Sequence, residues 1–95
     1  MFIISLTYTR PIAEIENYIE AHVAFLDTYY AKNKFIVSGR KNPRTGGIIL
    51  AHNTTLEELQ EIIKEDPFHK NKLADYEITE FLPSKFDAGF ERFVT

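Results

Sequence analysis

Four short strand-forming runs separated by two helix-period segments, in the order β-α-β-β-α-β, constrain this 95-residue chain more than any other feature. Residues 2–8 are rich in Ile and aromatic side chains, which predicts a strand buried on both faces. Pro11 is tolerated in the first turn of a helix, and Glu14 and Glu16 favour its positive end. From Ile12 the apolar residues fall at Ile15, Ile19, Leu26 and Tyr29, with Tyr18 and Phe25 widening the stripe, which is helical spacing. One helix is therefore predicted to run to about Lys32, with Asn33 as a left-handed cap. Residues 34–41 read as a second strand and 47–52 as a third, joined through the turn-forming Asn42-Pro43-Arg44-Thr45-Gly46 as a hairpin. Thr54 and Thr55, followed by Glu57 and Glu58, form overlapping capping boxes at the start of a second helix. Leu56, Leu59, Ile62 and Ile63 give that helix its buried face, and Pro67 limits it near Asp66. A short helical turn over 68–72 and an alternating, half-exposed strand over 76–82 complete the order.

This order predicts an α+β, ferredoxin-like domain over residues 1–83: a four-stranded antiparallel sheet with both helices on one face. The other face then needs a cover. The chain is 44% hydrophobic, with eight Phe and five Tyr, while a monomer this small buries only roughly 60 to 70% of its surface. A second copy of the sheet would use that surplus, so a homodimer built as an α+β barrel is expected. Residues 84–95 place Phe86, Phe90 and Phe93 at i, i+4 and i+7 and are read as a C-terminal arm packing on that dimer or as an extension of the same domain.

A net charge of −3 without a basic face argues against a nucleic-acid partner. The absence of cysteine removes disulfides, thiolate metal ligands and a thiol nucleophile. The apolar N-terminus is too short for a signal core and nothing approaches a membrane span, so a soluble cytoplasmic protein without a membrane partner is the expectation.

The residue that breaks the pattern is His22, inside the apolar stripe among Ile15, Ile19 and Leu26. A lone His on a helix is ordinarily packed or at the surface, and a carboxylate before proline is ordinarily a turn former. In this topology, however, the two helices lie side by side, so Asp66 at the end of one can meet mid-helix His22 on the other. The carboxylate would then hold one ring nitrogen and leave the other facing a ligand, an arrangement suited to moving protons near neutral pH. His52 and His69 are scattered, with no H-x-x-x-H or H-x-H spacing, and no metal is expected.

Three stretches in this order, Ala21-His22-Val23-Ala24-Phe25-Leu26, Phe35-Ile36-Val37-Ser38-Gly39 and Asp66-Pro67-Phe68, resemble the YciI-like (YCII-related) family over roughly residues 1–83. The resemblance implies a dimeric α+β barrel with His22 and Asp66 as the catalytic pair. Relatives sharing that barrel include muconolactone isomerases, small monooxygenases and a dehydrochlorinase of chlorinated hydroquinones, so fold alone settles no reaction. One departure concerns the second strand: many members carry Gly-Pro where this chain has Gly39-Arg40. Arg40 and Arg44 flank the hairpin turn, and a guanidinium there would hold a carboxylate, phosphate or phenolate in bidentate fashion. Ser38, beside Gly39, is a further ligand contact.

The leading reading is a small cofactor-independent enzyme of lyase or isomerase type, transferring protons on a small anionic or phenolic compound. His22 would act as base or acid, Asp66 as its orienting partner, and Arg40 with Arg44 as the anion anchor. The alternative is a non-catalytic ligand-binding or structural dimer in which His22 and Asp66 satisfy each other. A metal-free, monooxygenase-like oxidation is a third reading that no residue selects.

Overall fold

The computed structural model describes residues 1–94; Thr95, the last residue of the expected C-terminal arm, lies outside them. Among the described residues nine elements follow one another: β1 (Phe2–Tyr8), α1 (Ile12–Glu16), α2 (Ile19–Ala31), β2 (Phe35–Arg40), β3 (Gly46–Ala51), α3 (Leu56–Ile63), α4 (Pro67–Lys70), β4 (Ala74–Glu80) and a 3₁₀ turn (Ala88–Phe93). The strands form one antiparallel sheet in the order β2-β3-β1-β4. The chain has the α+β, ferredoxin-like arrangement that the alternation of apolar runs predicts.

β1 lies at the centre because its alternate residues Phe2, Ile4 and Leu6 are all buried on the helix side. Ile4 stands opposite Ile49 on one neighbour and Ile78 on the other, so one apolar row crosses three strands. Ile15, Phe25, Tyr29, Leu59, Ile62, Ile63 and Phe68 come down onto this face from the helical layer. The opposite face presents Ile3, Val37 and Ile48 to solvent.

Three boundaries differ from the sequence reading, one of them that of β4, which runs Ala74–Glu80 where the alternation predicts 76–82. The predicted first helix is broken: Asn17 and Tyr18 separate α1 from α2, with Asn17 N–H bonding Glu14 O at 3.2 Å and Tyr18 N–H bonding Ile15 O at 3.0 Å. These tighter i→i−3 bonds occur at two residues of low helix propensity. Asp66 does not close the second helix either. α3 stops at Ile63, and Asp66, in extended conformation (φ −68°, ψ 125°), is the N-cap of α4 with Pro67 in its first turn. Elsewhere local signals acted as expected. Asn33 adopts φ 59° after α2, and of the overlapping capping boxes Thr55 is the N-cap, accepting the Glu58 N–H at 3.1 Å.

β2 carries a bulge. Phe35 pairs with Ala51 but Val37 pairs with Leu50, so Ile36 is an extra residue. Beyond it, Ser38 stands opposite Ile49 and Arg40 opposite Gly47, positions on the helix side of the sheet. Without the bulge, simple alternation from Phe35 would send both to the other face.

Candidate active site

His22 leaves α2 in its first turns and Asp66 caps α4, the two helical elements that touch most closely. His22 Nδ1 lies 2.8 Å from Asp66 Oδ1. Asp66 is fully buried, and the His22 side chain is 14% exposed. The same Oδ1 accepts the Phe68 N–H at 3.0 Å, and Oδ2 accepts the Tyr76 hydroxyl at 2.5 Å. With the Phe68 N–H and the Tyr76 hydroxyl already donating to this carboxylate, Nδ1 of His22 is the third donor, and in the neutral imidazole Nε2 is then the nitrogen with the lone pair. The imidazole lies flat on the Phe68 ring, with centroids 4.1 Å apart and planes 4° from parallel. Asp66-Pro67-Phe68 thus contributes a hydrogen-bond acceptor, a helix start and a stacking plate from three consecutive residues.

A cleft of about 190 Å³ opens beside the imidazole. Leu6, Ile19, Leu26 and Ile49 give it apolar walls, while Ser38, Arg40 and Arg44 supply its polar side. The structure therefore brings together all five residues picked from sequence. Their states differ. Ser38 Oγ shares a 2.7 Å hydrogen bond with the Tyr30 hydroxyl. Arg44 donates through Nη1 to Glu16 Oε1 at 3.2 Å, while its buried Nε has no partner among the described residues. Arg40 is exposed and makes no ion pair among the described residues. An engineered apolar cavity of about 150 Å³ accepts benzene, so this cleft is of the size for one substituted six-membered ring.

The other histidines stay apart. His52 is buried at the far end of β3, its Nδ1 3.2 Å from Phe93 O. His69 is exposed and meets the Tyr76 ring edge-on at 5.4 Å. Among the described residues no three His, Asp or Glu side chains gather as metal ligands. Of the tyrosines near helix one, Tyr8 lines the cleft and Tyr29 belongs to the core.

Sequence reasoning missed Tyr76 and Glu16. Tyr76 had a usable signal: it occupies an inward position of β4 in register with Leu6, where a tyrosine hydroxyl requires a partner. Glu16 gave none, because exposed polar residues on helices are ordinary.

Two tyrosines are held in their protonated form. Burial, then the Glu65 carboxylate that accepts its hydroxyl, pushes Tyr29 up to about 12. Burial, then the charge and hydrogen bond of Asp66, pushes Tyr76 up as well. Unfolded tyrosines ionise near pH 10. Both groups therefore hold protons in the fold that the unfolded chain releases, and the associated stability is complete below about pH 10 and lost as pH rises toward 12. An ultraviolet absorbance titration of the native protein against Tyr29→Phe and Tyr76→Phe should assign both tyrosines to ionisation above about pH 10, with thermal stability falling over that window. Ionisation of either near pH 10 in the native protein would contradict this.

Residues 1–82 match the model of the YCII-related domain. The chain belongs to this family. Among solved structures, this YCII-related chain is similar to 5-chloro-2-hydroxyhydroquinone dehydrochlorinase (TftG) from Burkholderia phenoliruptrix AC1100, in complex with 2,5-dihydroxybenzoquinone. The TM-score is 0.71 at 20% identity, covering 85% of this chain and 93% of the other. A likeness at that identity establishes a shared fold. No curated protein matches the chain. No helix of the described residues is long and apolar enough to cross a membrane.

Proposed function

We propose that this YCII-related protein is a small-molecule enzyme that moves protons on a small anionic or phenolic ring compound, by an elimination or an isomerisation. The observation that carries the proposal is one imidazole with Nδ1 2.8 Å from a buried carboxylate on the wall of a largely apolar, ring-sized cleft. His22 Nε2 takes a proton from the substrate, and Asp66 supports the imidazolium that results. The proton then returns at another substrate atom, completing an isomerisation, or the substrate's electron pair expels a leaving group, completing an elimination. Arg40 is the anion anchor, aided by Arg44 once Glu16 releases it, and Ser38 contributes a hydroxyl contact. The ring specified by the TftG ligand, a dihydroxybenzoquinone, supports the choice of phenol- and quinone-type compounds as first candidates.

Substituted phenols, hydroquinones and small aromatic carboxylates should be screened by calorimetry for binding and by NMR in deuterated water for proton exchange or product formation. Binding accompanied by exchange in the native protein is expected. Binding without any exchange or product across the panel would favour a non-catalytic ligand-binding dimer instead.

The proposal includes a homodimer through the open sheet face. Ile3, Val37 and Ile48 are each more than a third exposed there, on three adjacent strands, an apolar patch of the kind that marks an association surface. Light scattering at micromolar concentration should return twice the chain mass, and replacing Val37 and Ile48 with Lys should return the single mass. A native protein that is monomeric at that concentration would overturn the dimer.

A further inference from the structure

The third donor on Asp66 comes from outside the helical layer. Tyr76 lies on β4 and reaches across to Oδ2, whereas His22 and the Phe68 N–H both use Oδ1. A carboxylate bound only through Oδ1 can turn about its last bond and present either oxygen to the imidazole. We infer that Tyr76 is a positioning residue for His22: its hydroxyl pins Oδ2 of Asp66, so that Oδ1 stays turned to the imidazole and the carboxylate's charge is divided between its two oxygens. This inference rests on the reading of His22 and Asp66 as the working pair.

Three features support the assignment. The Tyr76 hydroxyl is a permanent donor over the range in which an imidazole titrates, because burial and Asp66 both oppose its ionisation. Its ring is fixed by strand register opposite Leu6 and by the edge-on contact with His69 at 5.4 Å. The site has no other way of occupying Oδ2 among the described residues. The titratable groups facing this triad are Tyr8 from β1, His69 from α4, and Arg40 and Arg44 across the cleft from β2 and the hairpin.

Charge division makes the inference directional. Removing the hydroxyl returns charge to Oδ1, strengthens the attraction of Asp66 for an imidazolium, and raises the pH at which His22 loses its proton. A stronger donor on the same ring does the reverse. The experiment follows the His22 ring resonances by NMR through a pH titration in the native protein, in Tyr76→Phe, in Asp66→Asn, and with 3-fluorotyrosine installed at position 76 alone. The expected result is a midpoint higher by a few tenths of a pH unit in Tyr76→Phe, lower with fluorotyrosine and lower in Asp66→Asn. A space-filling role alone would leave the midpoint unmoved in both Tyr76 variants, since each keeps the ring. If Asp66→Asn moves the midpoint and neither Tyr76 variant does, this inference fails while the pair stands. If Asp66→Asn also leaves it unmoved, the pair itself fails, and this inference with it. Should Tyr76→Phe not fold, the fluorotyrosine protein decides alone, because it retains every hydrogen bond.

Discussion

Turnover by the His22→Ala variant is expected to fall by roughly 10²- to 10⁴-fold, the usual contribution of a positioned general acid or base. The loss belongs in the chemical step. Leu6, Ile19, Leu26 and Ile49 still wall the cleft and Arg40 still faces it, so ligand affinity should change only a few-fold. A kcat effect with little change in binding separates a proton-transfer role from a packing role. Imidazole added to the variant, placed in the space left above the Phe68 ring, should restore part of the rate. The measurement is steady-state kinetics beside calorimetry on the compound that turns over. Full activity in the alanine variant would remove His22 from the mechanism.

The second large effect concerns folding. Gly46 begins β3 opposite Thr7, and a Cβ built there would lie 1.8 Å from the Leu6 carbonyl oxygen and 2.7 Å from its carbon. Both are backbone atoms of the central strand, so no side-chain rotation relieves the overlap. Gly46→Ala must push β1 and β3 apart where Leu6 opposes Gly47 and where Tyr8 N–H bonds Thr45 O at 2.9 Å. Overpacking against an unyielding core costs about 1–3 kcal/mol, and backbone displacement brings the expectation to the upper end, about 3 kcal/mol. For a domain of this size that lowers Tm by roughly 12–24 °C. Gly39→Ala is the control, since a Cβ there meets nothing within 4 Å of the same protomer. Equal melting temperatures for the two variants would show that the strands accommodate the methyl group, contrary to this account.

The fold was legible because its signals are local and repeat along the chain. Phe2, Ile4 and Leu6 alternate, Leu59, Ile62 and Ile63 share one helix face, and Thr55 and Asn33 mark helix ends with side-chain chemistry of their own. His22 was legible for another reason: it is a polar residue where burial is expensive, so it called for a partner, and the topology with the Asp66-Pro67-Phe68 resemblance supplied Asp66. The break at Asn17-Tyr18 was hidden because the apolar stripe continues through it, and periodicity does not register a slip in backbone hydrogen bonding. Asp66 as a cap was misplaced by one element because a proline stops one helix and starts the next equally well. The Tyr30–Ser38 and Glu16–Arg44 contacts depend on how the hairpin leans over α1 and α2, a tertiary relation that no spacing rule along the chain encodes.

The extra residue in β2 has a consequence for how this scaffold divides its labour. Six consecutive residues serve two different surfaces: Val37 and Gly39 belong to the open side of the sheet, while Ser38 and Arg40 look into the cleft. Ile36 sets the phase between them. If the proposed dimer and ligand site hold, association would be adjusted at Val37 and ligand preference at Ser38 or Arg40 by point substitution. A change in length at this strand would alter both at once, exchanging the two sets of side chains. On the proposed reading, recognition of a small molecule and of another copy would be coupled through a count of residues, with Gly39 and Ile48 bordering both surfaces.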